Sequence, residues 1–565
     1  MYFNLYLKMI QQPIPDLSPF YYWENFNYVL GYVKKQYQNL LSGSEIIFIQ
    51  DFENLPKESQ CLYLRLASRR ARWFRAEKLS YGEISQISLR INELVENGFV
   101  RFVSTQDSVN LGPILSVFSK KECIALASNL PHFPKYPSNI SKDDLVDLCK
   151  PFGNELLQQL NKISARLICP VQLEYFTFIQ FLFFGTKFRD MSEFVIRDLG
   201  HRQYVEVNEE EFIPYFQTRK EAMEKWKISL WRERFQELSK DSASTYELVG
   251  SWNQDILPMY EDISDVAIGS FERALFSLGR WLERLGHMEL ALDIYEPSLS
   301  GLSFERRVRI LAKLKRIEEA LLLAKLGLEF GFSPKETHFF EDFILKQNSK
   351  KHIKAVTQSL KLSPTLLIDI KWKGNVEMGV IQYFENLGYS AHFTENHLWL
   401  NILGILCWDL VFDEKQTGIH HPFQWAPSHY SSEGFTLGKE KDFEEKIGLL
   451  ASLDLFFAHA LQIKKNHEGK LNPLIDWYTL DIELIRELVH RVPQESLAQV
   501  LRYLWTHLST HAKGFPDLFV FKDSEYQFIE VKSPTDHLSA IQYFWHDFLI
   551  NKGIKFELYR VAWVD

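Results

Sequence analysis

Three charged side chains near the C-terminus stand where a buried sheet would place apolar ones. The stretch 514–534, GFPDLFVFKDSEYQFIEVKSP, holds two short apolar runs that each carry an acid, Asp517 and Glu530, with Lys532 two residues beyond the second. Read as strands joined by a two-residue turn at Asp523-Ser524, the runs pair Lys522 with Glu525 and, counting back, Asp517 with Glu530. Side chains opposed in this way are about 5 Å apart. Lys532 projects from the same face as Glu530, because side chains alternate along a strand. Like charges set opposite each other destabilise a ladder. A divalent cation between the carboxylates removes that cost, and hard oxygen ligands suit Mg2+ or Mn2+. The competing reading is an exposed hairpin with salt-bridged charges. Phe519, Phe528 and Ile529 argue against it, since they mark a half-buried sheet.

The elements that must position these groups belong to a long chain. Its 565 residues exceed one core, and three or four domains are expected. Hydrophobic residues make up 46% and aromatics 15%, a globular composition rather than a disordered one. A net charge of −9 excludes a chain-wide polyanion-binding field, so any nucleic-acid contact must come from local basic patches. Cys61, Cys123, Cys149, Cys169 and Cys407 are scattered without metal-ligand spacing, which fits a reducing cytoplasm. The N-terminal stretch MYFNLYLKMIQQPIPD has no signal-peptide pattern. The most apolar run, LEYFTFIQFLFF at 173–184, is too short for a membrane span and reads as a buried core helix, so no membrane partner is expected.

Four segments follow from patterning. Residues 1–110 read as a helical, winged-helix-like domain, with a helix ending at Asn97-Gly98 and a strand after it. Residues 111–155 hold a small helical pair resembling a SAP motif or, equally, any helical hairpin; Ser141 caps its second helix. In 156–372 the stretch 286–296, GHMELALDIYE, aligns with 315–325, KRIEEALLLAK, matching Ala291 to Ala320 and suggesting a tetratricopeptide-like module. Residues 373–565 carry the acid-bearing hairpin, an apolar helix near 395–412, a loop at 413–435 long enough to be functional or mobile, and a closing helix and strand. The fold class expected is α+β: mostly α-helical N-terminal and middle regions with a C-terminal α/β core.

PD, twelve residues, then EVK is the signature of PD-(D/E)xK, restriction-endonuclease-like nucleases. The flanks GFPDL and EVKSPTDHLSAIQYFWHDFLINKG, with Gln542 and Trp545 on the following helix, resemble the VRR-NUC domain. TENHLWLNILGILCWDLVF supplies a glutamate, Glu395, before an apolar helix ending in Trp-Asp. Together with the helical regions, the chain resembles the Fanconi-associated nuclease family in its shorter, bacterial-type form. The resemblance implies a metal-dependent, structure-selective DNA nuclease, a 5′-flap endonuclease and 5′→3′ exonuclease acting in interstrand crosslink repair. It assigns Glu395, Asp517 and Glu530 as metal-binding acids, the Val531 carbonyl as a further ligand, Lys532 as the positioned cation and Gln542 as a supporting hydrogen-bonding residue. Such chemistry makes water nucleophilic at neutral pH and polarises the scissile phosphate. Lys532 orients the nucleophile or offsets transition-state charge. Trp545 is expected in the core.

The partner implied is branched or flapped DNA, met in the cytoplasm, at the nucleoid of a bacterium or in a eukaryotic nucleus. Residues 65–78 carry five Arg and one Lys against one Glu, and as a helix would set Arg65, Arg69 and Arg72 on one face, with Arg70 and Arg75 nearby, for backbone phosphates. The stretch 306–316, RRVRILAKLKR, has six basic residues and no acid; the family binds a flap's 5′-phosphate in this module, making Arg306 and Arg307 the candidates. The family's other pocket cation lies shortly before PD, where Ser509 and Thr510 stand here, with His511 and Lys513 nearest. The alternatives are another PD-(D/E)xK junction or restriction-type nuclease, or a non-catalytic DNA-binding repair scaffold.

Overall fold

The acid-bearing hairpin lies in the interior of a five-stranded mixed sheet in the computed structural model, which describes residues 17–162, 166–348, 355–412, 418–430 and 432–565. The N-terminal 1–16 stretch, read as lacking a signal, and part of the 413–435 loop lie outside the described residues. The strands are β4 (Thr365–Asp369), β5 (Ser390–Phe393), β6 (Leu518–Lys522), β7 (Glu525–Lys532) and β8 (Phe556–Val564), in the order β4-β8-β7-β6-β5. The β6–β7 register runs from Lys522↔Glu525 to Leu518↔Ile529, as expected, so Asp517 and Glu530 sit one step past the last paired residues. Asp523 in the turn takes φ +50°, a left-handed conformation that Asp tolerates. β8 lies parallel to both β7 and β4.

The sheet begins earlier than the expected 373 boundary. β4 comes from the segment read as helical, because TLLID is a short strand whose burial alternates residue by residue, a pattern too brief to stand out in sequence. One face, with Leu366 and Ile368 of β4, packs on Val380, Ile381 and Phe384 of helix Val376–Asn386. The other joins a large helical core around Trp399, Phe515, Phe528 and Trp545. The apolar helix expected near 395–412 is two pieces, His397–Leu406 and Trp408–Val411, broken at Cys407.

Helices Asp265–Leu285, Met288–Tyr295, Gly301–Lys313, Ile317–Glu329 and Pro334–Asn348 follow one another as packed neighbours. Ala291 and Ala320 are fully buried at the crossings. Gly279 lies under the Tyr295 ring, where an added Cβ would meet it at 2.4 Å, so this helix approach requires glycine.

The chain divides into two compact units. One takes the described residues up to His201 and returns for Pro214–Trp226; the other takes Arg202–Ile213 and Lys227–Asp565. The first contains a three-stranded sheet, β1 (Phe74–Arg75), β3 (Leu167–Pro170) and β2 (Val100–Phe102), with β3 in the middle and antiparallel to both neighbours. The central strand thus comes from beyond the expected 110 and 155 boundaries. The SAP-like region is four short helices, Leu111–Ser116, Lys120–Ser128, Lys142–Cys149 and Gly153–Lys162, and the Ser141 hydroxyl accepts from the Asp144 amide at 3.1 Å. Helix Leu173–Phe184 is largely buried. Among the described residues no single helix is long and apolar enough to cross a membrane. All five cysteines are buried and unbridged.

Candidate active site

Asp517, Glu530 and Lys532 are 6%, 1% and 7% exposed, a burial that charged side chains adopt only when something specific compensates. Asp517 Oδ2 accepts the Val531 amide at 2.8 Å, and its backbone carbonyl accepts the Thr394 amide at 2.7 Å, continuing the β5–β6 ladder by one rung. Glu530 Oε1 is held twice, by Lys532 Nζ at 2.5 Å and by Gln542 Nε2 at 2.6 Å. Glu530 Oε2 is buried with no hydrogen-bond partner.

Gln542 combines two roles. It is the third residue of helix Ala540–Asn551, where its Oε1 closes a capping box on the Ser539 amide at 3.0 Å while its Nε2 reaches Glu530. Trp545, one turn on, is fully buried, stacks on Phe515 at 4.0 Å and donates from Nε1 to the Lys513 carbonyl at 3.0 Å. It is a core residue. Gly514, at φ +86°, lets the chain pass Ile541, whose side chain a Cβ would meet at 2.8 Å.

The electrostatics follow from burial. Desolvation pushes the Asp517 carboxyl up to about 7; Lys532 and the Val531 amide oppose this, and Glu395 and Glu377 add to it. Glu530 is raised well above the ordinary glutamate value, by burial first and the Asp517 charge second. Burial works against the Lys532 ammonium, but Glu530 and Asp517 hold it above its ordinary value. One cation therefore serves two buried acids. Hard oxygen donors, one of them orphaned, fit a divalent cation.

The structure brings Asp517, Glu530, Val531, Lys532 and Gln542 together. Glu395 is exposed in the turn between β5 and helix His397–Leu406, near enough for its charge to raise both Asp517 and Glu530. Among the described residues no three His, Cys, Asp or Glu side chains are gathered to hold an ion.

Three contributors were not apparent from sequence. Asn396, at φ +58°, accepts the Gly514 and Phe515 amides at 2.7 and 3.2 Å and so anchors the approach to Asp517. Thr394 supplies the extra rung. Glu377, half-buried in the first turn of helix Val376–Asn386, adds a further negative charge. The tie from Asn396 spans more than a hundred residues, and its side chain does not cap the helix it precedes, so no local signal marks it.

The basic segments differ from expectation. No helix runs through 65–78: helix Lys57–Ala67 ends before Arg69, and Arg75 lies in β1. Arg65 pairs with Glu83 at 2.6 Å, and Arg75 with Glu77 and Glu122, each at 2.6 Å. Arg69, Arg70 and Arg72 are exposed on the loop. Arg306 is committed to a two-pronged pair with Glu283, which also takes Arg280 at 3.2 Å and the Tyr295 hydroxyl at 2.9 Å. Arg307 is half-buried, 5.5 Å from the Phe304 ring centre, and burial pulls its guanidinium below the ordinary value. The two arginines are thus not a free pair awaiting a phosphate: Glu283, outside the basic run, takes the charge of Arg306, and Arg307 is partly withdrawn from solvent.

Comparison with known proteins decides the relationship. The family model "FAN1, HTH domain" matches residues 20–101, and "VRR-NUC domain" matches 458–563. The Fanconi-associated nuclease 1 homolog of Pseudomonas aeruginosa is 26% identical over 98% of this chain and 99% of its own length. The crystal structure of paFAN1 bound to 2nt 5'flap DNA with gap superposes at a TM-score of 0.84, with 25% identity, over 98% of this chain and all of that one. The chain is similar to Fanconi-associated nucleases over nearly its whole length. The Arabidopsis thaliana homolog is 23% identical over 96% of the chain and 67% of its own length. The mouse Fanconi-associated nuclease 1 aligns over 97% of the chain and 62% of its own length.

Proposed function

We propose that this chain is a structure-selective DNA nuclease that hydrolyses phosphodiester bonds in flapped or branched DNA, using Mg2+ or Mn2+. It acts as a 5′-flap endonuclease and 5′→3′ exonuclease, at the nucleoid of a bacterium or in a nucleus, in the repair of interstrand crosslinks. The observation that carries this reading is the Asp517–Glu530–Lys532 cluster, whose buried acids are pushed up and whose Glu530 Oε2 is left without a partner. The solved relative held on a 5′ flap supports flapped DNA as the substrate.

Asp517, Glu530 and the Val531 carbonyl would hold the cation, with Glu395 joining from its exposed turn. When bound, a divalent cation supplies Lewis acidity at the scissile phosphate and makes water a competent nucleophile. Lys532, fixed on Glu530, places a positive charge where the phosphate gains negative charge in the transition state. Gln542 locks the Glu530 rotamer, and Asn396 holds the strand entry that aims Asp517. Arg69, Arg70 and Arg72, exposed on their loop, would take backbone phosphates. A terminal phosphate at Arg306 would have to displace Glu283, so no step is routed through it.

End-labelled 5′-flap, 3′-flap and duplex DNA, incubated with Mg2+, with Mn2+ or with chelator, test the reading. The expected result is incision near the 5′-flap junction with either metal and none in chelator. Cleavage in chelator, or equal cutting of all three substrates, would count against it.

A further inference from the structure

The helix that carries Gln542 has a second functional-looking face. Ala540, Tyr543, Phe544 and Asp547 recur at helical spacing opposite Gln542 and Trp545, and they wall a cavity of about 760 Å3. Its other walls are residues 330–341 of the repeat module and 503–511, the segment leading to Gly514 and Asp517. Its lining is aromatic and imidazole-rich: Tyr503, His507 and His511 on one side, Tyr543 and Phe544 on the helix, and His338 across from them.

Two features fix the class of ligand. First, the lining contains no Lys or Arg but does contain the carboxylates of Glu341 and Asp547, which repel a phosphate. His511 is held down to about 4, by burial and then by the neighbouring His507, so it adds no charge at neutral pH. Second, the rings offer flat faces. His507 already stacks on Tyr503 at 4.1 Å, and Tyr503 on Phe544 at 5.3 Å, a column of rings that one more flat ring can extend. His338 and Tyr543 stand 6.3 Å apart, tilted by 41°. A flat ring needs about 3.5 Å on each side, so a guest stacks on one of them rather than slotting between both. The thickness and polarity match a nucleobase, whose exocyclic amine can donate to Glu341 or Asp547.

We propose that this cavity binds one unpaired nucleobase of the flapped or branched DNA, lodging it on the far side of the helix whose Gln542 holds Glu530. The assignment rests on the nuclease reading above and extends it: a captured base would register the unpaired strand against Asp517 through the short segment 511–517.

The test is an abasic scan. Fluorescence anisotropy measures binding of full-length protein, in chelator so that nothing is cut, to 5′-flap DNA carrying one abasic site at each successive unpaired or junction position. One position should weaken binding about tenfold, the effect of losing a single base–aromatic stack, while a methylphosphonate at that position should change it less than twofold. Tyr543→Ala and, separately, Thr510→Trp, which fills the cavity from an exposed position, should each weaken binding of intact DNA and erase the abasic penalty. A preference for flapped DNA with a flat scan overturns this proposal alone, as does a penalty that survives both variants or a methylphosphonate that costs as much as the abasic site. No preference for flapped over duplex DNA overturns the functional reading, and this proposal with it.

Discussion

Two buried charge clusters in the same compact unit solve the same problem in opposite ways. In the repeat module Glu283 is 7% exposed, and burial pushes its carboxyl up. The Arg306 fork, the Tyr295 hydroxyl and Arg280 more than reverse that push, leaving Glu283 below the ordinary glutamate value. In the sheet, Asp517 and Glu530 share one lysine, and both are left raised. A buried acid whose pKa is lowered has its charge compensated by the fold. A buried acid whose pKa is raised, beside another like it, has been left for something the fold does not supply. On the reading proposed above, the Glu283 cluster serves stability and the Asp517 cluster serves chemistry.

Substitutions can break this contrast. A large effect should come from Lys532→Met, which removes the one cation of the sheet cluster and should lower 5′-flap cleavage by about 10^3-fold; a loss under fivefold would return Lys532 to a structural role. Gln542→Leu should cost about 10- to 100-fold in cleavage, as expected for a group that orients a metal ligand, with flap affinity preserved.

In the other cluster the readout is stability. Arg306→Ala leaves Glu283 buried without its main partner and should cost about 3 kcal/mol in chemical denaturation, whereas an unchanged midpoint would mean the pair is not structural. Asp517→Asn should move the opposite way in metal-free protein. The unfolded carboxyl loses its proton near 3.8 and the folded one near 7. Over that interval the native state holds more protons, so wild-type stability falls as pH rises. The asparagine variant should therefore unfold later than wild type at pH 8 in chelator and alongside it below pH 4. A smaller effect is expected on the N-terminal loop: replacing Arg69, Arg70 and Arg72 together should lower the salt slope of flap binding by up to about 2.7, at roughly 0.9 per phosphate contact.

The same contrast explains which features the chain displays openly. The hairpin register follows from a two-residue turn and the two-residue period of a strand, both local facts, so the sequence by itself places Asp517, Glu530 and Lys532 beside one another. Gln542 belongs to a motif ten residues on, and its capping role comes from Ser539 three residues before it. Charge counting in 65–78 and 306–316 fails because a basic run does not reveal its acids: Glu83, Glu122 and Glu283 lie well outside the runs they neutralise. The helix expected through 65–78 fails for a related reason. Trp73 and Phe74 continue the apolar pattern of the helix before them, yet they are buried beside a strand, β3, that enters from Leu167–Pro170. The strand β4 and the anchor Asn396 are hidden by distance as well, since nothing near them in the chain announces their partners.

The most direct test of the central claim separates chemistry from binding in one variant. Asp517→Asn keeps the shape of the side chain and removes its charge. Incision of an end-labelled 5′ flap in Mn2+ should fall by at least about 10^3-fold, while the flap dissociation constant measured in chelator should stay within twofold of wild type. Wild-type cleavage by Asp517→Asn would contradict the assignment of the buried carboxylates as the metal-holding site.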